Sequence, residues 1–272
     1  MTRLRLLNSR ATAGISMLSL FAASLFAATL LAVIYARAAD TDSPAAKAPL
    51  VSSPAAGNDL KLKNLRVGKI LFLGNSITQH GPKPEIGWTG NWGMAASALD
   101  KDYPHVLAAR IGKAAGGRPQ ILAKNIADFE RGHPNYDIAA GMKDELAFKP
   151  DLVIVAIGEN VPSLDSDQAK ANYREAFVRL LNTLAENSHP TIVVRSCFWN
   201  NPEKDVLMKQ AAAQAGVIYV DIGALGGDPA NAARSERTIE HAGVAGHPGD
   251  KGMQAIADAL WKAIETKAGE KP

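Results

Sequence analysis

The chain has 272 residues, of which 47% are hydrophobic and 21% charged, and its formal charge is +3. That composition can bury a sizeable core, and it excludes a disordered chain, a collagen-like chain and a multi-span membrane protein. Four arginines (Arg3, Arg5, Arg10 and Arg37) and no acid fall in the first 38 residues, so the remainder is nearly balanced, with 26 basic and 27 acidic residues. A near-neutral body has no electrostatic footprint for nucleic acid.

In chain order, the first feature is an address. Arg3, Arg5 and Arg10 form a basic start, residues 11–36 carry no charge, and Ala36-Arg37-Ala38 is a small-x-small cleavage site. This reads as a secretory signal peptide over residues 1–38, cut after Ala38. An uncleaved anchor is the alternative, because the uncharged run is long enough to span a bilayer, and only then is the membrane a partner. Either way the bulk of the chain faces a periplasmic or extracellular space. Residues 39–66 are rich in Ala, Pro, Ser and Asp without a hydrophobic period, which reads as a flexible linker. Residues 67–272 then form one domain.

Within that domain, five short apolar runs read as buried strands: 69–73, 121–125, 152–157, 191–196 and 217–222. Helical candidates lie between and after them at about 92–115, 136–147, 168–187, 202–215 and 250–267. The fourth segment's neighbour, 168–187, lines up Tyr173, Phe177, Leu180, Leu181 and Leu184 on one stripe. Strand–helix alternation implies an α/β fold with a parallel sheet covered on both faces. In such sheets ligands bind at the carboxyl ends of the strands, which directs attention to the residues after 73, 125, 157, 196 and 222.

Polar groups stand at those strand ends. Gly74-Asn75-Ser76-Ile77-Thr78 places a serine at a strand-to-helix turn, where its hydroxyl can act as nucleophile and its N–H as an oxyanion donor. A serine there also serves as an ordinary helix N-cap. The loop 125–132 offers a backbone N–H, and Gly158-Glu159-Asn160 offers a carboxamide donor. His247, before Pro248, Gly249 and Asp250, is the candidate general base, with Asp250 as a helix cap. The other histidines (80, 105, 133, 189 and 241) lack metal-ligand spacing, and Cys197 is the single cysteine. No disulfide, metal or cofactor is expected.

The ordered blocks Gly-Asn-Ser-Ile-Thr, Asn125, Gly158-Glu159-Asn160 and His247-Pro248 resemble the SGNH/GDSL hydrolase family over residues 67–267. The resemblance implies a flavodoxin-like three-layer α/β/α sandwich with a five-stranded parallel sheet. It also implies Ser76 as nucleophile, His247 as base and Asn160 as oxyanion donor. The chain departs from the family pattern in three places. Asn75 replaces the Asp of Gly-Asp-Ser. Glu130 stands where a Gly gives an oxyanion N–H, so the Glu130 N–H is the expected donor. Val244 replaces the triad acid of Asp-x-x-His, so the Val244 carbonyl is the expected partner of the second imidazole nitrogen, with the Glu240 carboxylate as the alternative.

Trp88 and Trp92, close behind Ser76, and Trp199, after the fourth strand, are candidate platforms for a sugar ring; packing against a loop is the other reading. Together these features lead to a secreted serine esterase that removes a small acyl group, such as acetyl, from a carbohydrate. A lipid esterase or thioesterase, and a non-catalytic carbohydrate-binding protein on the same scaffold, are the rivals.

Overall fold

A computed structural model describes residues 59–270. The expected signal peptide and most of the expected linker lie outside those residues. The last part of the linker does not: Lys61–Leu62 (β1) pairs antiparallel with Leu65–Arg66 (β2). Leu62 and Leu65 are buried, and Asn64 bonds the carbonyls of Ala268 and Glu270 at the end of the last helix. The domain therefore takes in the end of the expected linker, because strands of two residues are too short to leave a hydrophobic period in the sequence.

The five expected strands are present, with ends shifted by one or two residues. Lys69–Gly74 (β3), Gln120–Asn125 (β4), Leu152–Ala156 (β5), Thr191–Arg195 (β6) and Ile218–Val220 (β7) form one parallel sheet in the order β4-β3-β5-β6-β7. Alternate side chains of β3 face opposite layers. Ile70 and Phe72 pack with Tyr103, Leu107, Met253, Ile256 and Leu260, while Leu71 and Leu73 pack with Tyr173, Phe177, Leu180 and Met208. Both faces are dry, which explains why these strands read as unbroken apolar runs. The layers are helices Tyr103–Ala115 (α1) and Asp250–Gly269 (α8) on one side, and Asp167–Ser188 (α5) and Pro202–Gln214 (α6) on the other. The result is the three-layer α/β/α sandwich.

Shorter helices complete the second layer and the loops: Ala127–Gly132 (α2), Ile138–Gly141 (α3), Lys143–Ala147 (α4) and Ala242–Gly246 (α7). The first expected helix starts about eleven residues late. Residues 92–102 are mostly irregular, with Ala95 at φ 71°, and α1 begins only where Asp102 caps it by accepting the His105 N–H at 2.9 Å. The expected helix at 136–147 is broken at Met142, whose φ of −129° interrupts the spiral between α3 and α4. Among the described residues no helix is long and apolar enough to cross a membrane.

The chain runs from β3 to β4 on one side and then returns to β5 on the other. The crevice at the carboxyl ends of β3, β4 and β5 is thus the switch point where doubly wound sheets bind ligands.

Candidate active site

Gly74 ends β3, where a Cβ would lie 2.9 Å from the Ala156 carbonyl and against Thr78. Only glycine lets the chain turn so close to β5. The turn that follows is held by Asn75. Its Oδ1 accepts the Ile77 N–H at 3.2 Å, and its carbonyl accepts the N–H groups of Thr78 and Gln79, both at 3.0 Å. No helix follows this turn, so Ser76 caps none. The loop 79–101 braces it instead: the Met94 N–H donates to the Ser76 carbonyl at 2.8 Å, and the buried Asp102 carboxylate accepts the Gly93 N–H at 3.1 Å. No carbonyl or side chain among the described residues accepts the Ser76 N–H.

Ser76 Oγ lies 2.8 Å from His247 Nε2. His247 Nδ1 lies 2.7 Å from the Gly243 carbonyl oxygen. A carbonyl only accepts, so Nδ1 carries the proton and the Nε2 lone pair faces the serine hydroxyl. The acceptor differs from the expected one. The Val244 carbonyl is taken by the His247 backbone N–H at 3.0 Å, and the Val244 side chain is buried beside Trp88, Met94 and Ala233. A turn of α7 brings the carbonyl four residues before His247, rather than three, over the ring. Glu240 lines a different cavity. Asp250 does not cap α8: its carboxylate accepts the Ser97 N–H at 2.7 Å, while Glu236 accepts the N–H groups of Asp250 and Lys251 at 2.8 and 2.7 Å. Burial holds the His247 pKa below the ordinary imidazole value, against the Gly243 bond and the Glu159 charge, which raise it; His80 and His241 push the same way as burial.

Asn160 lines the same cavity as these two residues. Gly158, at φ 125°, makes the tight exit from β5, and a Cβ there would meet the Cys197 sulfur at 2.5 Å. The loop is pinned from both sides. Lys204 Nζ from α6 donates to the carbonyls of Gly158 and Val161, and Glu130 from α2 accepts the N–H groups of Gly158 (2.7 Å) and Asn160 (3.1 Å). Glu130 Oε2 also accepts Asn160 Nδ2 at 2.8 Å. This corrects the expectation for Glu130. Its backbone N–H donates to the Ile126 carbonyl at 3.3 Å inside α2, so it is not a free oxyanion donor. Reading 125–132 as a loop hid the helical turn that uses this N–H.

Two further side chains were not singled out in the sequence. Arg195, the last residue of β6, has 0% exposure and donates to Glu159 Oε1 at 2.7 Å. Asn75 Nδ2 donates to Glu159 Oε2 at 2.6 Å and to Glu130 Oε1 at 3.3 Å, and the Phe198 N–H donates to Glu159 at 2.9 Å. Burial raises the Glu159 pKa, but Arg195 and the N–H donors outweigh it and hold the carboxyl below the usual range. Glu130, without a cation of its own, is raised by burial and by the Glu159 charge. The sequence signal was an arginine in an otherwise apolar strand, which needs an acidic partner if it is to be buried.

Trp88 is buried, its Nε1 donates to the His80 carbonyl at 3.0 Å, and it meets Trp92 edge to face at 5.6 Å. Trp92 Nε1 donates to the Ala96 carbonyl at 3.0 Å. Both knit the 79–101 loop together, as the packing alternative anticipates. Trp199 alone of the three is exposed, at 39%, and its ring stands edge to face against His247 at 5.2 Å. A cavity of about 490 Å³ opens over Ser76 and His247, walled by His80, Asn125, Arg131, Asn160 and His241. A second, of about 570 Å³, shares Ile86 and His241 with it. No group of three or more His, Cys, Asp or Glu side chains among the described residues could hold a metal ion.

No curated protein significantly matches the sequence. Among solved structures, the chain is similar to a family two carbohydrate esterase from Cellvibrio japonicus (22% identity, 74% of this chain and 61% of that one, TM-score 0.46). It thus spans about three fifths of that esterase's length. It is also similar to the acetyl xylan esterase AlAXEase (17% identity, 72% and 99%, TM-score 0.46). A third is a family two carbohydrate esterase from Clostridium thermocellum solved in complex with cellohexaose (16% identity, 74% and 64%, TM-score 0.48). The model of the GDSL-like Lipase/Acylhydrolase family matches residues 72–255, which run from β3 into α8 and take in Ser76, Asn160 and His247. With more than half of its length inside that match, the chain belongs to the GDSL-like lipase/acylhydrolase family.

Proposed function

We propose that the protein is a secreted or periplasmic serine esterase that removes a small acyl group, acetyl above all, from a carbohydrate. The observation that carries the mechanism is the 2.8 Å contact between Ser76 Oγ and the unprotonated Nε2 of His247, whose Nδ1 is fixed by the Gly243 carbonyl. Ser76 Oγ attacks the ester carbonyl carbon while its proton passes to Nε2. The Ser76 N–H and the Asn160 amide hold the oxyanion. When the tetrahedral intermediate collapses, the sugar oxygen leaves with the proton from Nε2, and the acyl group stays on Ser76. Water then attacks the acyl-enzyme, gives a proton to Nε2, and the acid departs as Ser76 takes that proton back. A carbonyl partner stabilises the imidazolium less than a carboxylate does, so this is a Ser–His dyad rather than a triad.

The substrate class is supported by the cavity wall, where His80, Asn125, Arg131, Asn160 and His241 offer hydrogen bonds to hydroxyls. The adjoining cavity leaves room for the rest of a glycan, and Trp199 can stack on a sugar face beside the base. The basic start and small-x-small site of residues 1–38 support export. The test is turnover of 4-nitrophenyl esters from acetyl to octanoyl, followed by release of acetate from acetylated glycans. Turnover is expected to fall with acyl length and to vanish in Ser76→Ala and His247→Ala. A preference for octanoyl would make the protein a lipid esterase. Glycan binding without turnover would make it a carbohydrate-binding protein.

A further inference from the structure

The Asn160 amide can sit in two orientations that differ by exchanging its oxygen and nitrogen, and only one of them presents an N–H to the oxyanion. Glu130 decides between them. Its Oε2 accepts one Nδ2 proton at 2.8 Å, while Oε1 accepts the Asn160 and Gly158 backbone N–H groups and one proton of Asn75 Nδ2. Every one of these neighbours is a donor, so the site is built for a group that only accepts, an ionised carboxylate. A flipped Asn160 would set its carbonyl oxygen against Oε2. The correct orientation leaves the second Nδ2 proton uncommitted to Glu130. The same carboxylate reaches the nucleophile: Asn75, which precedes Ser76, shapes the serine turn with Oδ1 and ties it to Glu130 with Nδ2.

We propose that the Glu130 carboxylate is a positioning residue of the ester hydrolysis, orienting the Asn160 amide toward the oxyanion and linking it to the Ser76 turn. Glu130 has 0% exposure and meets no substrate; it acts through Asn160 and Asn75. The inference rests on the Ser76–His247 esterase reading. It relates two departures from the family pattern: between the carboxylates of Glu130 and Glu159, at 3.3 and 2.6 Å, position 75 faces two acceptors and suits a donor, which Asn supplies and an ionised Asp does not.

The test is a double-mutant cycle on 4-nitrophenyl acetate. In Glu130→Gln the amide oxygen, in the place of Oε1, can keep the two backbone N–H groups and the Asn75 proton, and its NH₂ then faces Asn160 Nδ2, donor against donor, so Asn160 turns over while the link to the Ser76 turn is kept. kcat is expected to fall by about 10²-fold, within the range for one lost oxyanion donor, with KM within about threefold of wild type. The Glu130→Gln/Asn160→Ala double variant should be no slower than Asn160→Ala alone, because no amide is left to orient. Losses that multiply would show that Glu130 acts independently of Asn160 and would overturn the proposal, as would a wild-type kcat in Glu130→Gln. Because Glu130→Gln can fail to fold, a second measurement uses the wild-type protein. NMR of the Asn160 side-chain amide should show one Nδ2 proton shifted downfield and protected from exchange and the other not; two equivalent protons would also overturn the proposal. Turnover that survives Ser76→Ala would instead sink the esterase reading itself, whatever the cycle shows.

Discussion

Removal of the buried cation, as in Arg195→Met, tests how the site's charges are held. Arg195 has 0% exposure, and its guanidinium also donates to the carbonyls of Ser196 and Ala156. Without it, Glu159 keeps only the Asn75 and Phe198 donors, and its charge stays buried. Breaking a buried pair from one side costs about 3–5 kcal/mol. At about 2–4 °C per kcal/mol for a domain of this size, Tm should fall by roughly 6–20 °C at neutral pH. The pH dependence adds a check on the cause. In the wild type the Glu159 pKa is depressed, so its pairing stabilises the fold above the unfolded carboxylate value, and this is lost as pH falls through the folded value. In Arg195→Met burial is opposed only by the Asn75 and Phe198 hydrogen bonds, and it raises that pKa. Ionised Glu159 then destabilises the fold above the unfolded value, and acidification relieves the penalty. The gap in Tm between wild type and variant should therefore narrow from neutral to acidic pH, as followed by thermal denaturation across a buffer series. A gap that stays constant with pH, or a Tm that does not move, would refute the reasoning.

Other residues carry their own expectations. Because burial depresses the His247 pKa, the acid limb of kcat/KM should lie below the ordinary imidazole value; Trp199→Ala hydrates the ring and should move that limb to higher pH in a pH–rate profile. Trp88→Ala should lower stability by about 3–5 kcal/mol, as for other buried aromatics, and should affect a glycan ester and 4-nitrophenyl acetate alike. Glu240→Gln should keep near wild-type kcat on 4-nitrophenyl acetate, since the Gly243 carbonyl already occupies the ring nitrogen that Glu240 would need.

The family match over residues 72–255 gives a framework for these tests, but the chemistry depends on details that differ in legibility. The three inner strands, β3, β5 and β6, leave a plain mark, because a strand covered on both faces is apolar along nearly its whole length, while the edge strands β4 and β7 are only partly buried. The carboxyl ends of the strands then follow from the alternation of strands and helices, which directs attention to Ser76 and Asn160, while the resemblance of the ordered blocks to a family adds His247 before the last helix. Short elements leave no such mark. The strands of the β1–β2 hairpin have two residues each and α2 and α7 have six and five, too few for a hydrophobic period to repeat, and the hairpin is held by contacts with the far end of the chain.

The sequence by itself determined the parallel sheet and the edge at which to look, and the ordered blocks that resemble the family picked out Ser76, Asn160 and His247 as candidates, since strand pattern and block order are properties of the chain alone. Tertiary structure decided the polar wiring. A hydrogen bond is fixed by angles and tenths of an ångström, and residues 55, 84 or 171 positions apart in sequence share no local signal. So Gly243 rather than Val244 holds His247, Glu130 contributes its carboxylate rather than its N–H, Asp250 serves Ser97 rather than α8, and Trp199 rather than Trp88 or Trp92 flanks the base. In each case the residue type was visible in the chain, while the direction in which its polar atoms point was settled only when distant segments packed together.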